Sequence, residues 1–95
     1  MYLRTIKFRV KQSSMGQFKD VAEGTKDAVA KFDGLQSTQV AMDDSGNGIL
    51  VGLWDSEEKA MAAVSASNAI WAGLADHLES PPEYVDYRHC MSLRD

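Results

Sequence analysis

The sequence predicts an α+β domain built from split β-α-β units: a four-stranded antiparallel sheet with its helices on one face. Three observations lead there. The chain opens with residues that alternate in character from Tyr2 to Val10. A stripe of apolar residues spaced three and four apart follows, from Met15 to Phe32. Then Gly48-Ile-Leu-Val-Gly-Leu-Trp54, apolar on both faces, runs straight into the helix start Asp55-Ser-Glu-Glu-Lys-Ala-Met61. Ninety-five residues make a single domain, 1–95, near the lower size limit for an adequate core.

In the first strand, Tyr2, Ile6, Phe8 and Val10 share a face on which Arg4 is the exception; Leu3, Thr5, Lys7 and Arg9 point the other way. Ser14-Met-Gly-Gln17 reads as a capping box, in which the serine and glutamine side chains satisfy orphan backbone N–H groups. The helix it opens carries Met15, Phe18, Val21, Ala22, Thr25, Ala28, Val29 and Phe32 on one side and stops at Gly34. Leu35 to Met42, with Gln36, Thr38 and Gln39, has the mixed polarity of an edge strand. Asp43-Asp-Ser-Gly-Asn-Gly48 is dense in turn formers and reverses the chain.

Ile49 to Trp54 reads as a central strand, with Gly52 leaving room for a close approach beside Trp54. Asp55 is placed to cap the second helical region, and Glu57 and Glu58 suit its positive end. Ala60, Met61, Val64, Trp71, Leu74, Ala75 and Leu78 share one side of that region; the polar run Ser65-Ala-Ser-Asn68 predicts a break into two helices there. Pro81-Pro82 ends it, and a final strand is expected from Glu83 to about Leu93. The order is β-α-β-β-α-β, the ferredoxin-like arrangement.

Helices on one face leave the other bare, yet the central strand is apolar on both. A second copy, sheet to sheet in a twofold dimer, is the expected cover. Cys90 is the one cysteine, so no intrachain disulfide forms, and no Cys/His spacing suits zinc. A net charge of −4 argues against a nucleic-acid partner. Charges interrupt the N-terminus every two or three residues, which does not suit a signal peptide, and no apolar run is long enough for a membrane span. A soluble cytoplasmic protein is expected. Arg4, Lys7, Arg9 and Lys11 make the first 12 residues basic, read as a solvated strand edge or an anion site.

Val51-Gly-Leu-Trp-Asp-Ser-Glu-Glu-Lys-Ala60, the segment Ser-Asn-Ala-Ile-Trp71 and the aromatic final strand together resemble the dimeric α/β-barrel superfamily, in particular its antibiotic-biosynthesis-monooxygenase-like (ABM) domains. The resemblance covers essentially the whole chain. It implies either a cofactor-free monooxygenase-like enzyme acting on a small aromatic or quinone-like molecule, or a non-catalytic dimeric module with a small-molecule-binding or stress-related role. In monooxygenase-like members an asparagine and a tryptophan of the second helical region and an arginine of the last strand help line a cavity between helices and sheet. Carried to this chain, these are Asn68, Trp71 and Arg88: Asn68 to bond a carbonyl or enolate oxygen, Trp71 to stack on an aromatic ring, Arg88 to stabilise an oxyanion. No cofactor and no metal are implied. Haem-degrading relatives carry an asparagine in the first strand, where this chain offers Arg4, Thr5 and Lys7.

Each residue also has a plain structural reading. Asn68 can satisfy the backbone at the helix break, Trp71 can pack in the core, and Arg88 can pair with Asp86 or with an acid across the dimer. Trp54 reads as a fold and interface residue. His77 complements a helix C-terminus, and His89 fits an interface as well as it fits a general base. Cys90 reads as a buried small hydrophobe, and Met15, Met42, Met61 and Met91 as core or cavity lining.

Overall fold

β1 (Tyr2–Arg9) pairs antiparallel with β3 (Asn47–Trp54) on one side and with β4 (Glu83–Tyr87) on the other. β2 (Leu35–Met42) adds to the outer side of β3, giving the sheet order β2-β3-β1-β4. Between β1 and β2 lie α1 (Met15–Glu23) and α2 (Lys26–Ala30); between β3 and β4 lie α3 (Glu57–Ala62) and α4 (Val64–Leu74). This computed structural model describes residues 1–94. The architecture is the ferredoxin-like α+β fold, with two outer strands and two inner ones.

Register decides which residues meet the helices. Tyr2 stands opposite Trp54, Arg4 opposite Gly52 and Asp86, and Ile6 opposite Leu50 and Tyr84. Side chains alternate across a strand, so all of these share the helix-covered face. There Ile6, Phe8 and Val10 join Phe18, Trp71, Leu74 and Leu78 in the main core. Phe8 is its centre: its ring stacks on Phe18 at 5.2 Å between centroids and meets Trp71 at 5.4 Å. Gly48 makes room for it, since a Cβ there would lie 2.2 Å from the Phe8 ring. A smaller cluster of Tyr2, Trp54 and Ala60 sits under α3, with Phe32 stacked on Trp54 at 6.1 Å. The opposite face presents Leu3, Val51, Leu53, Val85 and Tyr87 in neighbouring positions, and no helix of the described residues lies on it.

Several local expectations give way to the observed structure. Ser14 makes no capping bond, because the chain enters α1 through a 3-10 turn at Gln12–Ser14 and Ser14 is not extended as an N-cap must be. The first helical region is two helices. Gly24 ends α1, and the Thr25 hydroxyl bonds back to the Ala22 carbonyl at 2.6 Å. Ser56, not Asp55, caps α3; it is extended and its hydroxyl accepts from the Lys59 N–H.

The second helical region also divides, but at Ala63 rather than at Ser65–Asn68. One helical turn before the break, the Ala60 carbonyl accepts a hydrogen bond from Arg4 Nη1, so a tertiary contact engages the carbonyl that Val64 would claim in a continuous helix. Ser67 and Asn68 stay helical because their side chains bond the Tyr84 hydroxyl instead of the local backbone. β4 stops at Tyr87, far short of Leu93, because Tyr87 already pairs with Leu3 and β1 begins at Tyr2. No helix among the described residues is long and apolar enough to cross a membrane.

Candidate functional site

The helices do not cover the sheet evenly. α4 packs closely over β1, whereas α1 and α2 stand off the β2–β3 half and leave a cleft of about 760 Å³. Cavities of about 300–1,000 Å³ are the usual size for small-molecule sites. Leu50, Gly52 and Thr38 floor this one, Phe18 and Val29 wall it, and both tryptophans of the chain, Trp54 and Trp71, line it. Gly52 matters to its shape: a Cβ there would lie 3.2 Å from Trp54 Nε1, so any side chain would press on the indole. Ala22 contributes a methyl to the lining from α1, where it also packs against the main core.

Arg4 lines the same cleft. Its side chain is only 4% exposed, and it is the one buried charged residue among those described. A guanidinium that deep needs compensation, which the last strand supplies. Nε donates to Asp86 Oδ1 at 3.1 Å and Nη2 to Asp86 Oδ2 at 3.0 Å, a bidentate pair. Nη1 donates to the Ala60 carbonyl at 3.0 Å. The Tyr2 hydroxyl adds a bond to Asp86 Oδ2 at 2.6 Å, and the guanidinium lies over the Tyr84 ring, 5.6 Å from its centroid.

The electrostatics follow from that packing. Burial works to raise the Asp86 pKa, but the bonds from Arg4 and Tyr2 outweigh it and hold the carboxyl below its ordinary range. Burial likewise opposes the charge on Arg4, yet Asp86 raises its pKa overall. The Tyr2 phenol is pushed up to about 12, first by burial and then by its bond to Asp86.

No family model matches the chain, and no curated protein matches it by sequence. Solved structures do match in shape. A "Putative antibiotic biosynthesis monooxygenase from Nitrosomonas europaea" superposes with a TM-score of 0.80 at 20% identity, over 96% of this chain and 100% of that one. A Deinococcus radiodurans protein of the same description reaches 0.83 at 11% identity, over 100% and 98% of the two chains. A conserved protein from Methanosarcina mazei Go1 gives 0.79 at 17%, over 93% and 92%. The chain has an ABM-like fold.

The three residues that the ABM resemblance nominated do not lie together. Trp71 is buried and lines the cleft, where its ring can meet a ligand. Asn68 is exposed; its Oδ1 accepts from the Tyr84 hydroxyl at 3.1 Å, and it is not part of the cleft lining. Arg88 lies just beyond β4 with its side chain 75% exposed, and its Nε pairs with Glu57 at 3.2 Å, outside the cleft.

His77 is half-buried in a 3-10 turn after α4, and His89 is exposed beyond β4; neither lines the cleft. Cys90 is half-buried, and Met61 and Met91 are exposed, whereas Met15 and Met42 line the cleft as expected. Trp54 is a core residue that also lines the cleft. Arg4, grouped from the sequence in a basic cluster read as a solvated strand edge or an anion site, is instead buried on the inner strand β1 and paired with Asp86. The signal was present: a charge in phase with Tyr2, Ile6 and Phe8 on a buried face, with Asp86 in phase with Tyr84 on the last strand.

Proposed function

We propose that this ABM-like domain binds a small, flat, apolar molecule in the cleft between α1–α2 and the sheet. The cleft itself carries the reading: it is of ligand size, and both tryptophans line it together with Phe18. Aromatic walls suit a flat aromatic ring, because offset and edge-to-face contacts add to area burial. Trp71 is the member of the expected trio placed to touch such a ring. Ala22→Phe fills the cleft from α1 at little cost in helix propensity. Wild-type protein is expected to bind the neutral dye Nile red with micromolar affinity, and Ala22→Phe to weaken it by about tenfold or more, equivalent to ~1.4 kcal/mol. Equal dye affinity in a folded Ala22→Phe protein, checked by circular dichroism, contradicts the reading.

The domain works, on this reading, as a homodimer through the open sheet face. Leu3, Val51, Leu53, Val85 and Tyr87 form a contiguous apolar surface there, with Tyr87 50% exposed in the single chain. Sedimentation equilibrium at micromolar concentration is expected to give twice the chain mass of 10.5 kDa, and a mass near one chain contradicts it. The names of the structural neighbours favour a second activity at the same cleft, cofactor-free oxygenation of the bound molecule by dissolved oxygen. Oxygen consumption on adding a bound hydroxyarene, lost in Ala22→Phe, is the measurement for that reading.

A further inference from the structure

The chemistry of Arg4 narrows what the cleft accepts. A guanidinium carries five N–H donors. Two go to Asp86 and one to the Ala60 carbonyl, which leaves one on each terminal nitrogen without a protein acceptor among the described residues. These donors belong to a side chain almost wholly buried at the edge of the cleft. Its charge, however, is already spent. Asp86 faces it with both oxygens, so the pair as a whole is neutral. The rest of the cleft lining adds no positive excess: Lys19 and Lys26 stand against Glu23, Asp43 and Asp44.

From this we infer that Arg4 is a specificity-determining residue, which donates its remaining N–H groups to a neutral carbonyl oxygen on the bound aromatic molecule and disfavours the corresponding carboxylate. A ketone oxygen entering the cleft gives up bonds to water and regains them from Arg4. A ring with no oxygen leaves the two donors dry, which is costly in an apolar site. A carboxylate regains the same bonds but brings in a full negative charge with no countercharge left for it, because Asp86 already neutralises Arg4, and burying a charge with no partner of its own is worse still. The binding-site reading above is the premise of this inference.

The test is a displacement series against bound Nile red at neutral pH with three probes of one ring system: 2-acetylnaphthalene, 2-naphthoate and naphthalene. Wild-type protein is expected to bind the ketone roughly tenfold or more tighter than either of the others. In Arg4→Met/Asp86→Asn, which removes donors and charge together, the ketone is expected to lose its advantage over naphthalene. Should that double variant not fold, the wild-type ratios decide alone. The inference is overturned if the carboxylate binds as tightly as the ketone, if the ketone does no better than naphthalene, or if no probe displaces a dye that does bind. Absence of dye binding in the wild type instead defeats the binding-site reading, and the role of Arg4 falls with it.

Discussion

Asp86→Ala is expected to destabilise the fold by about 3–5 kcal/mol, the cost of leaving a buried charge without its partner. The Arg4 side chain is 4% exposed and the Asp86 side chain 21%, so it is the guanidinium that is stranded. The Ala60 carbonyl would remain its sole strong acceptor, and the Tyr2 hydroxyl would lose its own. With total stability typically about 5–15 kcal/mol, such a loss takes a large share of it. Urea unfolding followed by circular dichroism measures it as a fall in midpoint. Arg88→Ala is the matched control: its ion pair is mostly solvated, and surface pairs contribute about 0–1 kcal/mol.

The same pair sets an acid limb. Asp86 is held below the ordinary carboxylate range in the folded chain, so its contribution is complete above the unfolded carboxyl pKa of about 4. It is lost as pH falls through the lower folded value, because the unfolded state takes up the proton first. Stability of the wild type is therefore expected to decline more steeply in acid than that of Asp86→Ala, and the two curves to converge at the lowest pH. Parallel curves across the acid range contradict this assignment.

Phe8→Ala is expected to cost about 3–5 kcal/mol for a different reason, the loss of a packed aromatic ring. Phe8 contacts Phe18 and Trp71 on the helices and fills the space over Gly48 on β3, so truncation opens a void bounded by three elements. Backbone on two sides limits collapse, since Gly48 has no side chain to move in. The denaturation midpoint is expected to fall with little change in the slope of the transition, because the surface exposed on unfolding is nearly the same. Phe8→Leu retains most of the volume and is expected to lose about 1.5 kcal/mol or less. Similar losses in both variants would contradict the central place given to this ring.

Features set by local periodicity were legible. β2 spans Leu35–Met42 as its polarity suggested, and β3 is apolar on both faces and central, whereas Gly34 takes its positive φ of 85° in the turn before β2 and not as the helix stop, since α2 already ends at Ala30. Features set by tertiary bonds were not. The break at Ala63 follows a carbonyl engaged by an arginine 56 residues away in sequence, and nothing in Ala60–Val64 announces it. Ser65–Asn68 look like helix breakers only when the Tyr84 hydroxyl is left out.

The site shows the same division. Trp71, nominated by resemblance like the other two, reaches the cleft because core packing and cleft lining coincide on its helix face. Asn68 and Arg88 were nominated by resemblance, and their surroundings are a tyrosine hydroxyl and a half-buried glutamate. Arg4 was visible as an interruption in an apolar face, but its value depends on Asp86, which only the β1–β4 register brings opposite.

Side-chain nuclear magnetic resonance with 2-acetylnaphthalene locates the bound molecule directly. The chain has two indole N–H signals, from Trp54 and Trp71, and both line the cleft. Both are expected to shift on titration, together with the methyl groups of Val29 and Leu50, while the methyls of Leu3, Val51 and Val85 on the open face stay in place. Shifts confined to Leu3, Val51 and Val85, with both indoles unmoved, would place binding on the wrong side of the sheet and contradict the account.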